Sequence, residues 1–134
     1  MTAEPFSPAP AYHREVEILR DRGLASWEEL AGLSAVAIRR MSAQSAGSEA
    51  RLIRLRGQAR LVVEIGLAPA EAALLLHAGV CDRLGLATAD AHNLHRQVGR
   101  LQRSLTGTAM APVPLATVRA WIRQATAAPG RSWN

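Results

Sequence analysis

Apolar residues recur along most of this chain at the three- and four-residue spacing of a helix face, and the pattern breaks at glycine, proline and serine. Tyr12, Val16 and Leu19 stand at i, i+4 and i+7, and Gly23 ends that helix as the residue beyond its C-cap. Ser26-Trp27-Glu28-Glu29 is a capping box that opens a short helix ending near Ala31. Ser34 caps the next helix, which carries Val36, Ile38 and Met41 and gives way to a Ser/Gly-rich loop from Ser42 to Ser48. From Glu49 the spacing predicts a longer helix. Leu52, Leu55, Ala59 and Val62 form its apolar stripe, Arg51, Arg54 and Gln58 a neighbouring polar one, and Gly66 its end. Pro69 suits the first position of the following helix, Ala70 to Ala78, because its missing N–H would be unpaired there. Gly79 closes that helix, and a short helix from Asp82 to Leu86 follows. The next helix runs from about Ala89 to Leu105, with Leu94, Val98, Leu101 and Leu105 inward and Arg96, Arg100 and Arg103 on the opposite face. A loop with Gly107, Pro112 and Pro114 leads to a last amphipathic helix defined by Leu115, Val118, Ile122 and Ala125.

Sliding the chain on itself by 56 positions lays Leu19 on Leu75, Gly23 on Gly79, Leu30 on Leu86, Ala31 on Ala87, Ile38 on Leu94 and Arg40 on Arg96. Leucine and alanine agree cheaply by chance in so Leu/Ala-rich a chain. The matched glycines carry the weight: each is followed by an aliphatic residue (Leu24, Val80), a short helix and a longer one. The expectation is an all-α domain of about seven helices over residues 12–127. Its repeats cover about 12–47 and 49–105, its closing helix 115–127, and it lies between a flexible Pro-rich segment 1–11 and a tail 128–134.

Composition supports that class. The chain has 134 residues, enough for one core and too few for two. Apolar residues make up 49 % of it, yet only Phe6, Tyr12, Trp27, Trp121 and Trp133 are aromatic. All 16 basic residues are arginine, and 11 acids leave a net charge of +5. An all-arginine basic set reflects either a coding sequence rich in G and C or a phosphate or carboxylate partner that the guanidinium fork fits. One cysteine, Cys81, allows no internal disulfide, and a cytoplasmic protein is expected. The segment Met1 to Ala11 lacks the charged and apolar regions of a signal peptide, and no window is apolar enough for a membrane helix.

The residues that carry a resemblance lie around the middle of the chain: Ala59-Arg60-Leu61, Gly66-Leu67-Ala68-Pro69, Ala72, Leu74-Leu75 and Ala78-Gly79-Val80. With Arg22-Gly23-Leu24, Trp27-Glu28-Glu29-Leu30 and Trp121-Ile122, they resemble an uncharacterised bacterial family of tandem helix-hairpin-helix domains, domain of unknown function 4332, from about Ala11 to Ala127. The resemblance implies two helix-hairpin-helix pseudo-repeats, a SAM-like arrangement, and structural kinship with DNA-binding hairpins, but no established activity. The chain departs from the family pattern twice: Arg60 stands where the family tends to have Asp, and Ala68 where the hairpin usually has a second glycine. In DNA-binding hairpins of this kind, backbone N–H groups at a helix start face a phosphate. Ala68 adds a methyl group and restricts positive φ, and Pro69 removes a donor, so this hairpin is a weaker phosphate cradle.

Two functions from different classes are open. A sequence-nonspecific contact with a DNA or RNA phosphate backbone would use Gly66, Leu67, Ala68 and Ala70 of the hairpin, Arg96, Arg100 and Arg103, and Arg51 and Arg54, with Arg56 nearby. A protein-interaction adaptor would use exposed aromatic or apolar groups, with Trp133 as a docking anchor and Trp27 and Trp121 as core fillers. Enzyme readings are weaker, and no cofactor or metal is expected. His92 and His95 at i, i+3 could share a metal with Asp90 or Cys81, but nothing fixes four converging ligands. His77 is expected half-buried beside the hairpin, and Cys81 as a small core residue. Glu64 and Glu71 flank the hairpin on different helices without a pocket to make them a catalytic pair.

Overall fold

The computed structural model describes residues 12–44, 48–107 and 111–130. The segment 1–11 with Phe6, residues 45–47 of the Ser/Gly loop, residues 108–110, the tail residues 131–134 with Trp133, and the Leu105 side chain lie outside the described residues. Regular structure in the described residues is helical. The elements are α1 (His13–Asp21), α2 (Trp27–Ala31), α3 (Ala35–Ala43), α4 (Glu49–Arg60, continuing through a π-helical turn Leu61–Ile65), α5 (Pro69–His77), α6 (Arg83–Ala87), α7 (Ala91–Thr106) and α8 (Leu115–Ala127). These are the eight segments that the spacing outlines one by one, against an overall expectation of about seven helices.

Local chemistry explains most of these boundaries. Ser26 Oγ accepts from the Glu29 N–H at 3.2 Å, Ser34 Oγ from the Ala37 N–H at 3.1 Å and Ser48 Oγ from the Arg51 N–H at 3.4 Å, so α2, α3 and α4 each start at a serine cap. The Glu29 carboxylate returns to the Ala25 N–H and the Ser26 hydroxyl, one residue earlier than a regular capping box. Asp82 caps α6 through the Gly85 N–H at 2.6 Å. Gly23 and Gly79 hold φ of +77° and +90°, a region costly to side-chain-bearing residues, and they terminate α1 and α5 in the same way. The Leu24 N–H bonds back to the Leu19 carbonyl and the Val80 N–H to the Leu75 carbonyl, both at 2.9 Å, which is the Schellman pattern.

The 56-residue shift carries α1 onto α5 and α2 onto α6 end for end, and it carries the first residue of α3 onto the first of α7. The packing follows the same plan, with α2 and α3 against α4, and α6 and α7 against α8. The matched span is 13–43 with 69–99, so α4 lies between the two copies rather than opening the second. Helix α7 extends beyond its counterpart by seven residues.

One core joins the copies. Leu19, Leu30, Ile38, Leu52, Leu75, Leu86, Val98 and Val118 are fully buried, and Trp27 and Trp121 fill it as expected. Some expected burial changes. Val36 is half exposed because Ile38 and Met41 take the buried side of α3. Leu101 is only half-buried. Gln58, expected on a polar stripe, is 5 % exposed and donates from Nε2 to the Pro69 carbonyl at 2.9 Å. Burying that amide is tolerable because it has a partner, and the bond ties α4 to the start of α5.

Half-buried arginines complete the packing at helix ends. Arg60 donates from Nε to the Ala31 carbonyl at 3.0 Å and from Nη2 to the Leu33 carbonyl at 3.5 Å, and Arg56 reaches the same Leu33 oxygen at 3.1 Å. Cations there satisfy carbonyls at and just beyond the C-terminus of α2, which gives a structural reason for the arginine at position 60. Burial pulls both guanidinium groups below the ordinary arginine pKa; at Arg60 the Arg56 charge adds to the effect and Glu64 opposes it. On the second copy, Arg83 donates to the Ala125 carbonyl at 3.0 Å and pairs with Glu64 at 3.7 Å. No helix among the described residues is long and apolar enough to cross a membrane.

Candidate functional site

Helix α7 carries a stripe of exposed arginines with no acid beside it in the groove it lines. Arg96, Arg100 and Arg103 follow one another at i, i+4 and i+7 on its exposed side, opposite the buried Leu94 and Val98. With His95 and Gly99 they form one wall of a groove of about 690 Å³, and Pro112, Val113 and Pro114 form the other. Gln102 fixes that second wall by accepting the Val113 N–H on its Oε1 at 2.8 Å. The prolines stiffen it by restricting φ. One turn before His95, the Arg119 guanidinium of α8 reaches His92 Nε2 at 3.4 Å and adds a further cation beside the stripe. Among the described residues, Arg96, Arg100 and Arg103 are not paired with a carboxylate.

The charge around this groove is segregated along the chain. Residues 1–90 hold ten arginines against eleven acids, whereas residues 91–134 hold six arginines and no acid. A solvated helix face usually interleaves both signs, so a stretch with one sign only creates a field that attracts polyanions. Along α7 the distance from Arg96 to Arg103 is about 10 Å at 1.5 Å per residue, a rise over which one DNA strand presents roughly three phosphates.

The other candidate residues lie elsewhere. Arg51 stacks on the Tyr12 ring, 4.7 Å from its centroid, and pairs through Nε with Glu15 at 3.1 Å, so it joins α4 to α1. Glu15 is 2 % exposed and also accepts the Ser48 N–H. Arg54 is exposed and lines a second groove of about 550 Å³ between α4 and α6, together with Ile53, Arg56, Arg60, Cys81, Arg83 and Leu84. Gly66, Ala68 and Ala70 are exposed, but Leu67 is buried in the core and none of them lines the α7 groove. The expected surface therefore divides into four places: Arg96, Arg100 and Arg103 share an acid-free groove, Arg54 and Arg56 share another with Glu64 and Asp82, Arg51 packs on α1, and the hairpin lies apart from the α7 groove.

The hairpin itself is engaged from within. Glu71 Oε1 accepts the Ala68 N–H at 2.9 Å, and Glu71 Oε2 accepts the Trp121 indole N–H at 2.9 Å. A carboxylate thus stands at the helix start, where an anion would otherwise be stabilised. Glu29 does the same at the Ala25 N–H and Asp82 at the Gly85 N–H. The weaker cradle expected from Ala68 is accompanied by this internal carboxylate.

Two side chains sit differently from expectation. His77 is exposed, because Leu75 takes the inward side of α5 and position 77 turns away from it. Cys81 is exposed because Val80 enters the core in the Schellman turn. Among the described residues, no three His, Cys, Asp or Glu side chains come together as a metal site. Sequence reasoning missed His95 and the 112–114 wall as parts of the basic groove, and Arg119 as a cation beside it. The acid-free stretch after Asp90 was the available signal.

No curated protein and no solved structure matches the chain. The model of one family, described as domain of unknown function (DUF4332), matches residues 10–128, nearly the full length, and the protein belongs to that family.

Proposed function

We propose that the protein is a non-catalytic, cytoplasmic binding module that grips the phosphate backbone of a nucleic acid without reading its sequence. The observation that carries this reading is the convergence of Arg96, Arg100 and Arg103, none of them ion-paired among the described residues, on one groove in an acid-free part of the chain. Guanidinium groups bind phosphate oxygens in a planar, bidentate fashion, and phosphate neutralisation releases counterions, which supplies most of nonspecific affinity. We read the turns Gly23 to Ser26 and Gly66 to Pro69, with the helices that flank them, as helix-hairpin-helix motifs, with the backbone grip transferred from the self-capped second hairpin to α7. Base reading is not expected, since arginines spaced along a groove contact phosphates more readily than base edges.

The test is fluorescence anisotropy of the protein with a labelled duplex of arbitrary sequence between 50 and 200 mM salt. Replacing Arg96, Arg100 and Arg103 by Ala should flatten the slope of log affinity against log salt by about 2.7, at roughly 0.9 per phosphate contact. An unchanged affinity and slope in that variant would sink the reading.

A second reading, a protein-interaction adaptor, draws on the groove between α4 and α6. Leu84 is 63 % exposed and Ile53 43 % exposed on its rim, and apolar side chains bordered by arginine suit a protein partner. A wild-type protein that ignores duplexes at 50 mM salt would move the weight to this groove.

A further inference from the structure

The first copy of the repeated unit places exposed arginines at and beside positions that correspond to the α7 stripe in the second. Under the 56-residue shift Arg40 corresponds to Arg96 and Arg39 to His95, and Arg39, Arg40 and Arg96 are exposed. The next member of the α7 stripe, Arg100, corresponds to Gln44, which has no charge. The missing cation arrives from another element. Arg22, just after α1, donates from Nη2 to Gln44 Oε1, so a guanidinium is held against the residue that takes the position of Arg100. Helix α3 starts at the position equivalent to the start of α7, and Arg40 and Gln44 are exposed as their counterparts Arg96 and Arg100 are. Among the described residues, Arg22, Arg39 and Arg40 are not paired with a carboxylate.

We propose that Arg22, Arg39 and Arg40 form a second phosphate-binding surface equivalent to the α7 groove, so that one duplex nucleic acid is held at two points on the protein. This rests on the α7 reading and extends it to the class of ligand: a polyanion long enough to engage both units. An arginine delivered by a different helix to the vacant charge position is the feature that a merely solvated face does not account for. Two three-arginine surfaces imply about six neutralised phosphates and a salt slope near −5, which weakens binding roughly a thousandfold between 50 and 200 mM salt.

The experiment compares four full-length proteins on a labelled duplex by anisotropy across that salt range, with circular dichroism to confirm that each is folded. They are the wild type, a triple variant with Arg22, Arg39 and Arg40 replaced by Gln, the same positions replaced by Lys, and the α7 triple Ala variant. The expected result is a slope flattened by about 2.7 in both charge-removing variants and retained with Lys, which keeps the charge. Between 50 and 200 mM salt, each three-contact variant would lose affinity only about fortyfold. If the α7 variant flattens the slope and the Arg22/Arg39/Arg40-to-Gln variant matches the wild type, the second surface is refuted and the α7 groove stands. If the wild type shows no binding at 50 mM salt, both fail.

Discussion

Glu71 makes two hydrogen bonds, one through each carboxylate oxygen, and replacing it by Gln isolates their energetic value. Its carboxylate accepts the Ala68 N–H on one oxygen and the Trp121 indole N–H on the other, both at 2.9 Å, linking the start of α5 to α8. A glutamine amide offers one acceptor oxygen and one NH2 group, so one of the two donors must then face another donor. Trp121 is 3 % exposed, and water has little access to its indole nitrogen. A lost hydrogen bond to a charged group is worth about 1.5–3 kcal/mol, and a buried donor left unsatisfied lies at the upper part of that range. We expect Glu71→Gln to destabilise the protein by about 2–3 kcal/mol. With unfolding entropy near 2.1 cal/mol/K per residue, 1 kcal/mol shifts Tm by about 4 °C for a chain of this length, so Tm should fall by roughly 8–12 °C. Urea unfolding followed by circular dichroism gives the free energy, and a double-mutant cycle with Trp121→Phe assigns it. The Phe ring keeps most of the packing but has no N–H, so the cycle should return a coupling of about 1–2 kcal/mol. Additivity within about 0.3 kcal/mol, or a Tm change under about 2 °C, would refute the bridge. The duplex salt slope should be unchanged in Glu71→Gln, because Glu71 lies outside the α7 groove.

Other consequences are separable. Arg60→Ala removes the donor to the Ala31 and Leu33 carbonyls and should cost about 1–2 kcal/mol in urea unfolding. Arg60→Lys should recover less than half of that, because a single ammonium cannot span both oxygens as the planar fork does; full recovery would argue for a purely coulombic role. Cys81 should react with a thiol reagent in native buffer at a rate that does not track global unfolding, since it is exposed. A reaction that appears only in the urea transition would contradict the outward orientation that the Val80 turn imposes.

Which features were legible in the sequence follows from the range of the forces involved. A serine or aspartate cap acts on an N–H three residues away, and a glycine end requires only its own φ, so Ser26, Ser34, Gly23, Gly66 and Gly79 marked helix ends without any knowledge of the packing. The sequence alone determined the all-α class and the order of elements, and the correspondence of helix bounds at a 56-residue shift rests on the same local signals.

Only the tertiary structure decided which polar groups are buried and which charges meet. Gln58 belongs to the interior because the Pro69 carbonyl is there to accept its amide, and Glu71 is a bridge because α8 brings Trp121 to it. Both partners lie eleven or more positions away in the chain, beyond the reach of helical periodicity. Arg51 and Arg54 read alike on one helix, yet one packs on Tyr12 and Glu15 while the other faces the α4–α6 groove. The arginines of α7 could be placed on one face from their spacing, but the wall of Pro112 to Pro114 that makes a groove of that face exists only because the chain folds back and Gln102 holds it there.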